Sequence, residues 1–404
     1  MSSDFILFRD YDHSPMYTYK TLNAIAPEGT DALDEAGFKV DENNFDALVL
    51  RSHKLSADEF SDNLKCIGRA GAGYNNIPVD KATEKGIVVF NTPGANANAV
   101  KELVILSILI SSRNIFRAKN SLLKIGDLPT DQFKVEVENL KKEFVGTEIK
   151  GRTIGIIGLG KIGSLVAESC ISLGMNVIGY DPVISIDSAW KLSSAIVRAS
   201  SPEQLVELSD FISLHLPLNS STKNIFNANL FSKINKDAVL LNFARQEIVD
   251  EKVLDTYLNS EKLKYYVTDF PSPEFLSLDN VISFPHLGAS TSSAEENCAI
   301  MSGEQIIKFL LDGEIFNSVN FPNTTLKRES SYRLTVVNKN TPNMVGQITS
   351  VLANYGINIH NMINKSKADL AYNILDLDSS INDQVLNSLI NINGITKVRY
   401  IPNE

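Results

Sequence analysis

Thr153-Ile-Gly-Ile-Ile is a short apolar run that leads straight into Gly158-Leu-Gly160-Lys161-Ile162-Gly163, and from Ile162 to Leu173 the apolar positions recur at helical spacing. No other feature limits the fold as much. A strand that ends in GxGxxG and opens a helix belongs to the βαβ unit of a doubly wound sheet. In such a loop the first glycine permits the tight turn, the second lets backbone approach a pyrophosphate, and the third lets helix and strand pack closely. The helix N-terminus then holds the anion. The glycines alone could mark an ordinary turn, but Asp181 ends the next predicted strand, 23 residues after Gly158. A carboxylate there accepts hydrogen bonds from a ribose 2′-hydroxyl and repels a 2′-phosphate, so the predicted cofactor is NAD rather than NADP. Gly158, Gly160, Lys161, Ile162, Gly163 and Asp181 form the predicted dinucleotide site.

Short apolar runs alternate with helical patterns along most of the chain, which predicts an α/β architecture with parallel strands. Asn176-Val-Ile-Gly-Tyr-Asp, Phe211-Ile-Ser-Leu-His-Leu and Ala238-Val-Leu-Leu-Asn-Phe continue the strand series after the glycine loop. Earlier, Ala47-Leu-Val-Leu, Lys65-Cys-Ile-Gly-Arg and Ile87-Val-Val-Phe repeat the rhythm in a second, smaller α/β unit. Two Rossmann-like doubly wound lobes are therefore expected. After about residue 324 the order becomes β-α-β-β-α-β, a ferredoxin-like module of about 75 residues. Its predicted elements are strand Tyr332 to Val337, helix Asn343 to Tyr355, strands Ile357 to Lys365 and Ala371 to Leu377, helix Asp383 to Ile390 and strand Thr396 to Ile401. The polar, aperiodic stretch from Phe321 to Ser331 is the linker candidate. A length of 404 residues suits such a multidomain chain.

A formal charge of −10 argues against a nucleic-acid partner, whose binding rests on phosphate neutralisation. Cys66, Cys170 and Cys298 stand far apart without metal-ligand spacing, so buried free thiols are expected and no metal site. The start, Met1 to Asp10, has no basic region before a long apolar run, which argues against a secretion signal. The most apolar segment, Ala99 to Ile110, is interrupted by Lys101 and Glu102 and falls short of the ~20 residues that span a bilayer. A cytoplasmic protein without membrane contact is expected.

Three further stretches place chemistry after predicted strands: Asn242-Phe-Ala244-Arg245, Asp269-Phe-Pro-Ser-Pro-Glu274 and Pro285-His286-Leu-Gly288-Ala-Ser-Thr. In an open α/β sheet the ligand crevice lies outside the carboxyl ends of the strands. Oxidising a 2-hydroxy acid needs a base for the hydroxyl proton, an acid to orient it, and a cation for carboxylate and carbonyl oxygens. His286, Glu274 and Arg245 fit these three roles. The chain has five histidines, His13, His53, His215, His286 and His360. His215, in His-Leu-Pro217-Leu, is the other candidate base, and its place at a strand end suits a cofactor pocket better.

These motifs, taken over nearly the whole length, resemble the D-isomer-specific 2-hydroxyacid dehydrogenase family, with a C-terminal ACT module. Within the family the resemblance is to members that oxidise 3-phospho-D-glycerate to 3-phosphohydroxypyruvate with NAD, the entry step of serine synthesis. It implies a discontinuous substrate domain of residues 1–97 and 288–324, an NAD domain of 98–287 and an ACT domain of 325–404. It makes Arg245 the substrate-binding arginine, Glu274 the acid partner and His286 the acid/base. His215, Pro217, Ala244, Asp269, His286 and Gly288 join the cofactor side. Arg51 and Ser52, with Lys54, would take the substrate phosphate, and Ala72, Gly73 and Asn96 would hydrogen-bond the substrate. A homodimer or homotetramer is implied, with helix Ala99 to Ile110 helping to pair subunits.

The sequence departs from the family's commonest pattern in three places. Arg245 is followed by Gln246-Glu247 rather than Gly, and Glu247 is expected to point away. A tryptophan usual before the glycine loop is absent, the segment reading Lys141-Lys142-Glu-Phe144, so Lys142 would add positive charge on the substrate side; the one tryptophan is Trp190. In the ACT module, Asn338, Asn340 and Asn358 fall where effector contacts would lie, but Asn343 replaces the usual glycine. L-serine is the possible effector. Two other readings stand beside this one: a reductase of glyoxylate, hydroxypyruvate or lactate, and a non-catalytic NAD-sensing scaffold.

Overall fold

The computed structural model describes residues 17–402. His13 and the Met1 to Asp10 stretch lie outside the described residues. Two compact units form, one of Met1–Ala95 with Glu295–Glu404, the other of Asn96–Ala294.

The first unit opens with β1 (Thr18–Leu22), α1 (Pro27–Glu35), β2 (Lys39–Val40), β3 (Ala47–Leu50), β4 (Cys66–Arg69), α2 (Val79–Glu84) and β5 (Val88–Phe90). Its strands make a parallel sheet in the order β2-β1-β3-β4-β5. Strands β3 and β5 are apolar throughout because both of their faces are covered. Leu48, Leu50, Ile67 and Val89 pack on one side, while Ala47, Val49, Val88 and Phe90 pack on the other.

The second unit holds α3 (Ala97–Arg113), α4 (Ile115–Lys124), α5 (Thr130–Glu143), β6 (Thr153–Ile157), α6 (Lys161–Ser172), β7 (Asn176–Tyr180), α7 (Ile186–Ala189) and β8 (Ile196–Arg198). It continues through α8 (Pro202–Glu207), β9 (Phe211–Leu214), α9 (Ala228–Phe231), β10 (Val239–Asn242), α10 (Glu251–Asn259), β11 (Tyr265–Thr268) and β12 (Val281–Ser283). The sheet order β12-β11-β10-β9-β6-β7-β8 reverses direction between β6 and β9. That reversal is the switch point where doubly wound sheets bind ligands. Ile154, Ile156, Leu241 and Val267 meet α3 and α6 on one face, and Ile157, Ile212, Leu214 and Leu240 meet α8, α9 and α10 on the other. No helix among the described residues is long and apolar enough to cross a membrane.

From Glu295 onward, α11 (Ser292–Asp312) belongs to the first unit, where Ile306, Phe309 and Leu310 enter the core of the five-stranded sheet. The tail follows as β13 (Tyr332–Lys339), α12 (Met344–Asn354), β14 (Ile359–Lys367), β15 (Leu370–Leu377), α13 (Asp383–Ile390) and β16 (Ile395–Pro402). Its antiparallel sheet runs β14-β15-β13-β16, the ferredoxin-like order.

The central strands of the tail sheet, β13 and β15, are buried on both faces. Leu334, Val336 and Leu375 cover its own helices, whereas Val337, Tyr372 and Ile374 join the core that contains Phe90, Phe309 and Phe321. Polar groups seal the contact. The Tyr372 hydroxyl donates to the Gly313 carbonyl at 2.7 Å, and Arg399 donates to the carbonyls of Phe309 and Leu310. Lys397 donates to the Leu64 carbonyl at 3.1 Å. The tail module is therefore continuous with the first lobe.

The linker expectation also fails. Phe321 and Thr324 are buried, Ile315 and Thr324 exchange two backbone hydrogen bonds, and Arg328 donates to the carbonyls of Leu311, Ser330, Ser331 and Ile401. Its polarity reflects side chains that satisfy backbone carbonyls rather than solvent.

Candidate active site

Gly158 leaves β6 at φ +94°, donating its N–H to the Tyr180 carbonyl. A Cβ at this position would stand 2.6 Å from the His215 carbonyl oxygen, and one at Gly163 would overlap the Gly158 carbonyl. These two glycines are required by turn and packing. Gly160 differs, since a Cβ there meets nothing within 4 Å. It heads α6, whose first amides receive no side-chain cap. The loop thus presents bare backbone at a helix N-terminus, the arrangement that takes a phosphate. Asp181 follows β7 and supports this loop: its Oδ2 accepts the Leu159 N–H at 2.9 Å and its Oδ1 that of Val183 at 3.1 Å. Each carboxylate oxygen has a second lone pair left for a ribose hydroxyl.

At the end of β9, His215 shares a hydrogen bond of 2.8 Å between Nε2 and Ser213 Oγ, while its buried Nδ1 has no partner. Burial pushes its pKa down to about 4, so the ring is neutral at neutral pH. At the end of β10, buried Asn242 organises the turn that follows. Its Oδ1 accepts the Ala244 N–H at 3.1 Å and its Nδ2 donates to the Arg245 carbonyl at 2.9 Å. Arg245 is extended and partly exposed, with Nη1 donating to the Ala244 carbonyl, and Glu247 is exposed.

Asp269 follows β11, buried, and its two oxygens accept the N–H groups of Leu287 and Gly288, each at 2.7 Å. Burial raises its pKa, opposed by the two amides and by the charge of His286. Asp269 thereby fixes the loop after β12. Within that loop His286 takes φ +58°, left-handed for a non-glycine residue, and its N–H donates to the Phe284 carbonyl at 2.9 Å. The imidazole is exposed and meets Phe270 edge-on, with ring centroids 5.1 Å apart. Glu274 is placed differently from its expected role. It is exposed, accepts the Ser272 hydroxyl at 2.5 Å and has its pKa lowered chiefly by that bond. Among the described residues no hydrogen bond joins Glu274 to His286; the carboxylate whose charge interacts with His286 is that of Asp269.

The glycine loop, His215, Arg245, Asp269 and His286 follow the carboxyl ends of parallel neighbours β6, β9, β10, β11 and β12. Pro217, whose carbonyl accepts the Thr222 hydroxyl, belongs to the same rim. Asn96 heads α3, and its buried Oδ1 has no partner. Lys142 lies exposed in the last turn of α5, a helix with no buried residue, and among the described residues nothing ties it to Arg245 or His286.

In the first unit, Arg51, Ser52 and Lys54 follow β3. Arg51 Nη1 lies 2.8 Å from Glu295 Oε1, while Ser52 and Lys54 are exposed. Asn76 Nδ2 fixes this turn by donating to the carbonyls of Arg51 and His53. Ala72 and Gly73 follow β4, where the Ala72 carbonyl accepts from Asn91 Nδ2 at 2.6 Å.

The three tail asparagines do not converge within one copy. Asn338 is buried, donating to the Lys339 carbonyl and accepting from Asn373 Nδ2 at 2.7 Å, and Asn373 accepts from Asn364. Its amide serves this ladder across the sheet rather than a ligand. Asn340 donates to the Ala368 carbonyl near the end of β13, whereas Asn358 precedes Ile359, which pairs with Leu377 at the opposite end of β15. Asn343 adopts φ +68°, a conformation asparagine tolerates, which explains how it replaces a glycine there.

Residues 108–288 match the model of the "D-isomer specific 2-hydroxyacid dehydrogenase, NAD binding domain". A D-3-phosphoglycerate dehydrogenase of Haemophilus influenzae is 31% identical over 96% of this chain and 93% of its own length. The chain belongs to the D-isomer specific 2-hydroxyacid dehydrogenase family. A D-3-phosphoglycerate dehydrogenase of Methanocaldococcus jannaschii is 39% identical over 69% of this chain, a match that spans about half, 52%, of that relative. A hydroxypyruvate reductase of Thermotoga maritima is 40% identical over 66% of this chain and 85% of its own length. Among solved structures, the NAD+-bound 3-phosphoglycerate dehydrogenase of Entamoeba histolytica superposes with a TM-score of 0.61 at 28% identity, covering 77% of this chain and 99% of that one.

As a member of this dehydrogenase family the chain carries an NAD-binding domain. The open side of Gly160 and the buried, unpartnered Nδ1 of His215 fit a cofactor laid along the switch point. Three supporting residues escaped the sequence reading: Ser213, which orients His215; Asn242, which shapes the Arg245 turn; and Phe270, against the His286 ring. Asn242 did leave a signal, since an amide closing the apolar run Val-Leu-Leu needs buried partners.

Proposed function

We propose that the protein oxidises 3-phospho-D-glycerate at C2 to 3-phosphohydroxypyruvate with NAD, the first step of L-serine synthesis. The observation that carries this is the shared sheet edge, where Arg245, Asp269 and His286 follow adjacent strands beside the glycine loop. NAD, when bound, supplies the hydride acceptor. His286 takes the C2 hydroxyl proton, and Arg245 offers its guanidinium to the substrate's carboxylate and carbonyl oxygens. Asp269 holds the histidine loop through the amides of Leu287 and Gly288. Glu274 is assigned the acid partner's role, which requires its carboxylate to leave Ser272. Arg51, Ser52 and Lys54 take the phosphate, with Ala72, Gly73 and Asn96 on the remaining substrate oxygens. Lys142 adds positive charge.

The same proposal makes the protein a cytoplasmic homodimer or homotetramer. L-serine is its candidate effector, and a site using both Asn340 and Asn358 requires two copies, because one copy holds them at opposite ends of the sheet.

A second reading, reduction of hydroxypyruvate or glyoxylate, draws on the Arg51–Glu295 pair, which occupies the cation expected to bind phosphate. Following reduced nicotinamide with 3-phospho-D-glycerate, 3-phosphohydroxypyruvate, hydroxypyruvate and glyoxylate, with and without L-serine, separates the two. Preference for the phosphorylated pair supports the first; turnover of only the unphosphorylated acids supports the second. Unchanged rates with L-serine remove the effector.

A further inference from the structure

Arg51, the residue assigned to the substrate phosphate, is already paired with a carboxylate of its own unit. Glu295 sits in the first turn of α11 with Oε1 at 2.8 Å from Arg51 Nη1. The side chains of Arg51 and Glu295 are 34% and 42% exposed, so the pair can part without leaving a charge buried. Burial raises the pKa of the Cys298 thiol, and the charges of Arg69, Arg51 and Glu295 act on it as well. Of these three charges Glu295 is the acidic one, and it is the one paired with Arg51.

A carboxylate and a phosphate make the same demand on a guanidinium, two acceptor oxygens set against its fork of donors. They cannot both hold the same face of Arg51. If Glu295 stays, it confronts the phosphate with a like charge; if it leaves, its ion pair is lost. We propose that Glu295 is a specificity-determining residue, an internal carboxylate that holds Arg51 in the absence of a phosphate-bearing ligand and competes with the phosphate group for it. Its effect is to weaken binding of phosphorylated ligands relative to unphosphorylated ones. The substrate side of this inference rests on the function proposed above, while the competition itself concerns any phosphate-class anion at Arg51.

The test is Glu295→Gln in the full-length protein, since the amide keeps the size of the side chain and removes its charge. Inorganic phosphate binding to wild type, Glu295→Gln and Glu295→Gln/Arg51→Ala is measured by calorimetry. Michaelis constants for 3-phosphohydroxypyruvate and hydroxypyruvate are measured alongside. The expected result is phosphate binding about three- to tenfold tighter in Glu295→Gln, with the gain shrinking in high salt and disappearing in the double variant. KM should fall for the phosphorylated substrate and hold for hydroxypyruvate. Equal phosphate affinity in wild type and Glu295→Gln, no phosphate binding by either, or a gain that survives Arg51→Ala overturns the proposal. Tighter, Arg51-dependent phosphate binding without turnover of any phosphorylated substrate upholds the competition and refutes the proposed function instead.

Discussion

Asp269 and Gly288 are locked together: Oδ2 of the aspartate accepts the glycine N–H at 2.7 Å, and a Cβ at residue 288 would stand 2.8 Å from the same oxygen. The second oxygen takes the neighbouring Leu287 amide, so one buried carboxylate sets the path of the loop that carries His286. Asp269→Asn leaves one amide N–H facing a donor instead of an acceptor. It should destabilise the fold by about 1–3 kcal/mol and lower kcat more than the affinity for NAD. Urea unfolding and steady-state kinetics measure the two effects, and an unchanged kcat would separate Asp269 from the positioning of His286.

Two glycines three residues apart, Gly160 and Gly163, should respond in opposite ways. Gly163→Ala drives a Cβ into the Gly158 carbonyl and should cost about 2 kcal/mol or more of stability together with NAD binding. Gly160→Ala meets no neighbour and sits at φ −70°, so stability should change by less than about 0.5 kcal/mol. Yet its methyl group projects where a pyrophosphate would approach, and NAD affinity should fall at least about tenfold. Thermal unfolding paired with NAD titration distinguishes these outcomes.

The depressed pKa of His215 makes stability depend on pH in a defined window. Folded, the ring titrates near about 4; unfolded, near 6.5. Between those values the unfolded chain binds a proton that the folded chain does not, so stability falls as pH drops from about 6.5 towards 4. The contribution at stake is at most about 3 kcal/mol. His215→Gln should flatten the stability profile across that window, as followed by urea unfolding at several pH values; an identical profile would mean another group controls it.

Arg333 and Asp376 form a fully buried pair, bridged at 2.6 and 2.9 Å, with Arg333 Nη1 also donating to the Asp312 carbonyl. Arg333→Met strands the Asp376 carboxylate and should cost about 3–5 kcal/mol. Because the tail sheet shares its core with the first lobe, the loss should move the unfolding of both together. A tail that melts alone, detected by fragment-resolved hydrogen exchange, would contradict this continuity.

Much of this architecture is legible locally. The strand–glycine loop–helix unit and the order of tail elements follow from patterns a few residues long, and predicted and observed helices Asp383–Ile390 coincide. What escapes depends on distant contacts. The run Leu334-Thr-Val-Val announces a strand buried on two sides, but nothing near it says that Phe309 and Phe321 cover the second face. The polar segment after Phe321 looked free because its arginine partners are backbone carbonyls, which leave no mark in a sequence. Likewise, the choice of Ser272 by Glu274 and of Glu295 by Arg51 depends on side-chain geometry, not on motif spacing.

The central claim concerns His286 as the group that moves the hydroxyl proton in an NAD-dependent oxidation. The most direct measurement is 3-phospho-D-glycerate oxidation by wild type and His286→Asn, with NAD affinity determined for both. Asparagine also accepts the left-handed backbone at this position. The account predicts a fall in kcat of about a hundredfold or more with NAD affinity within about twofold of wild type. Near-normal turnover by His286→Asn would contradict it.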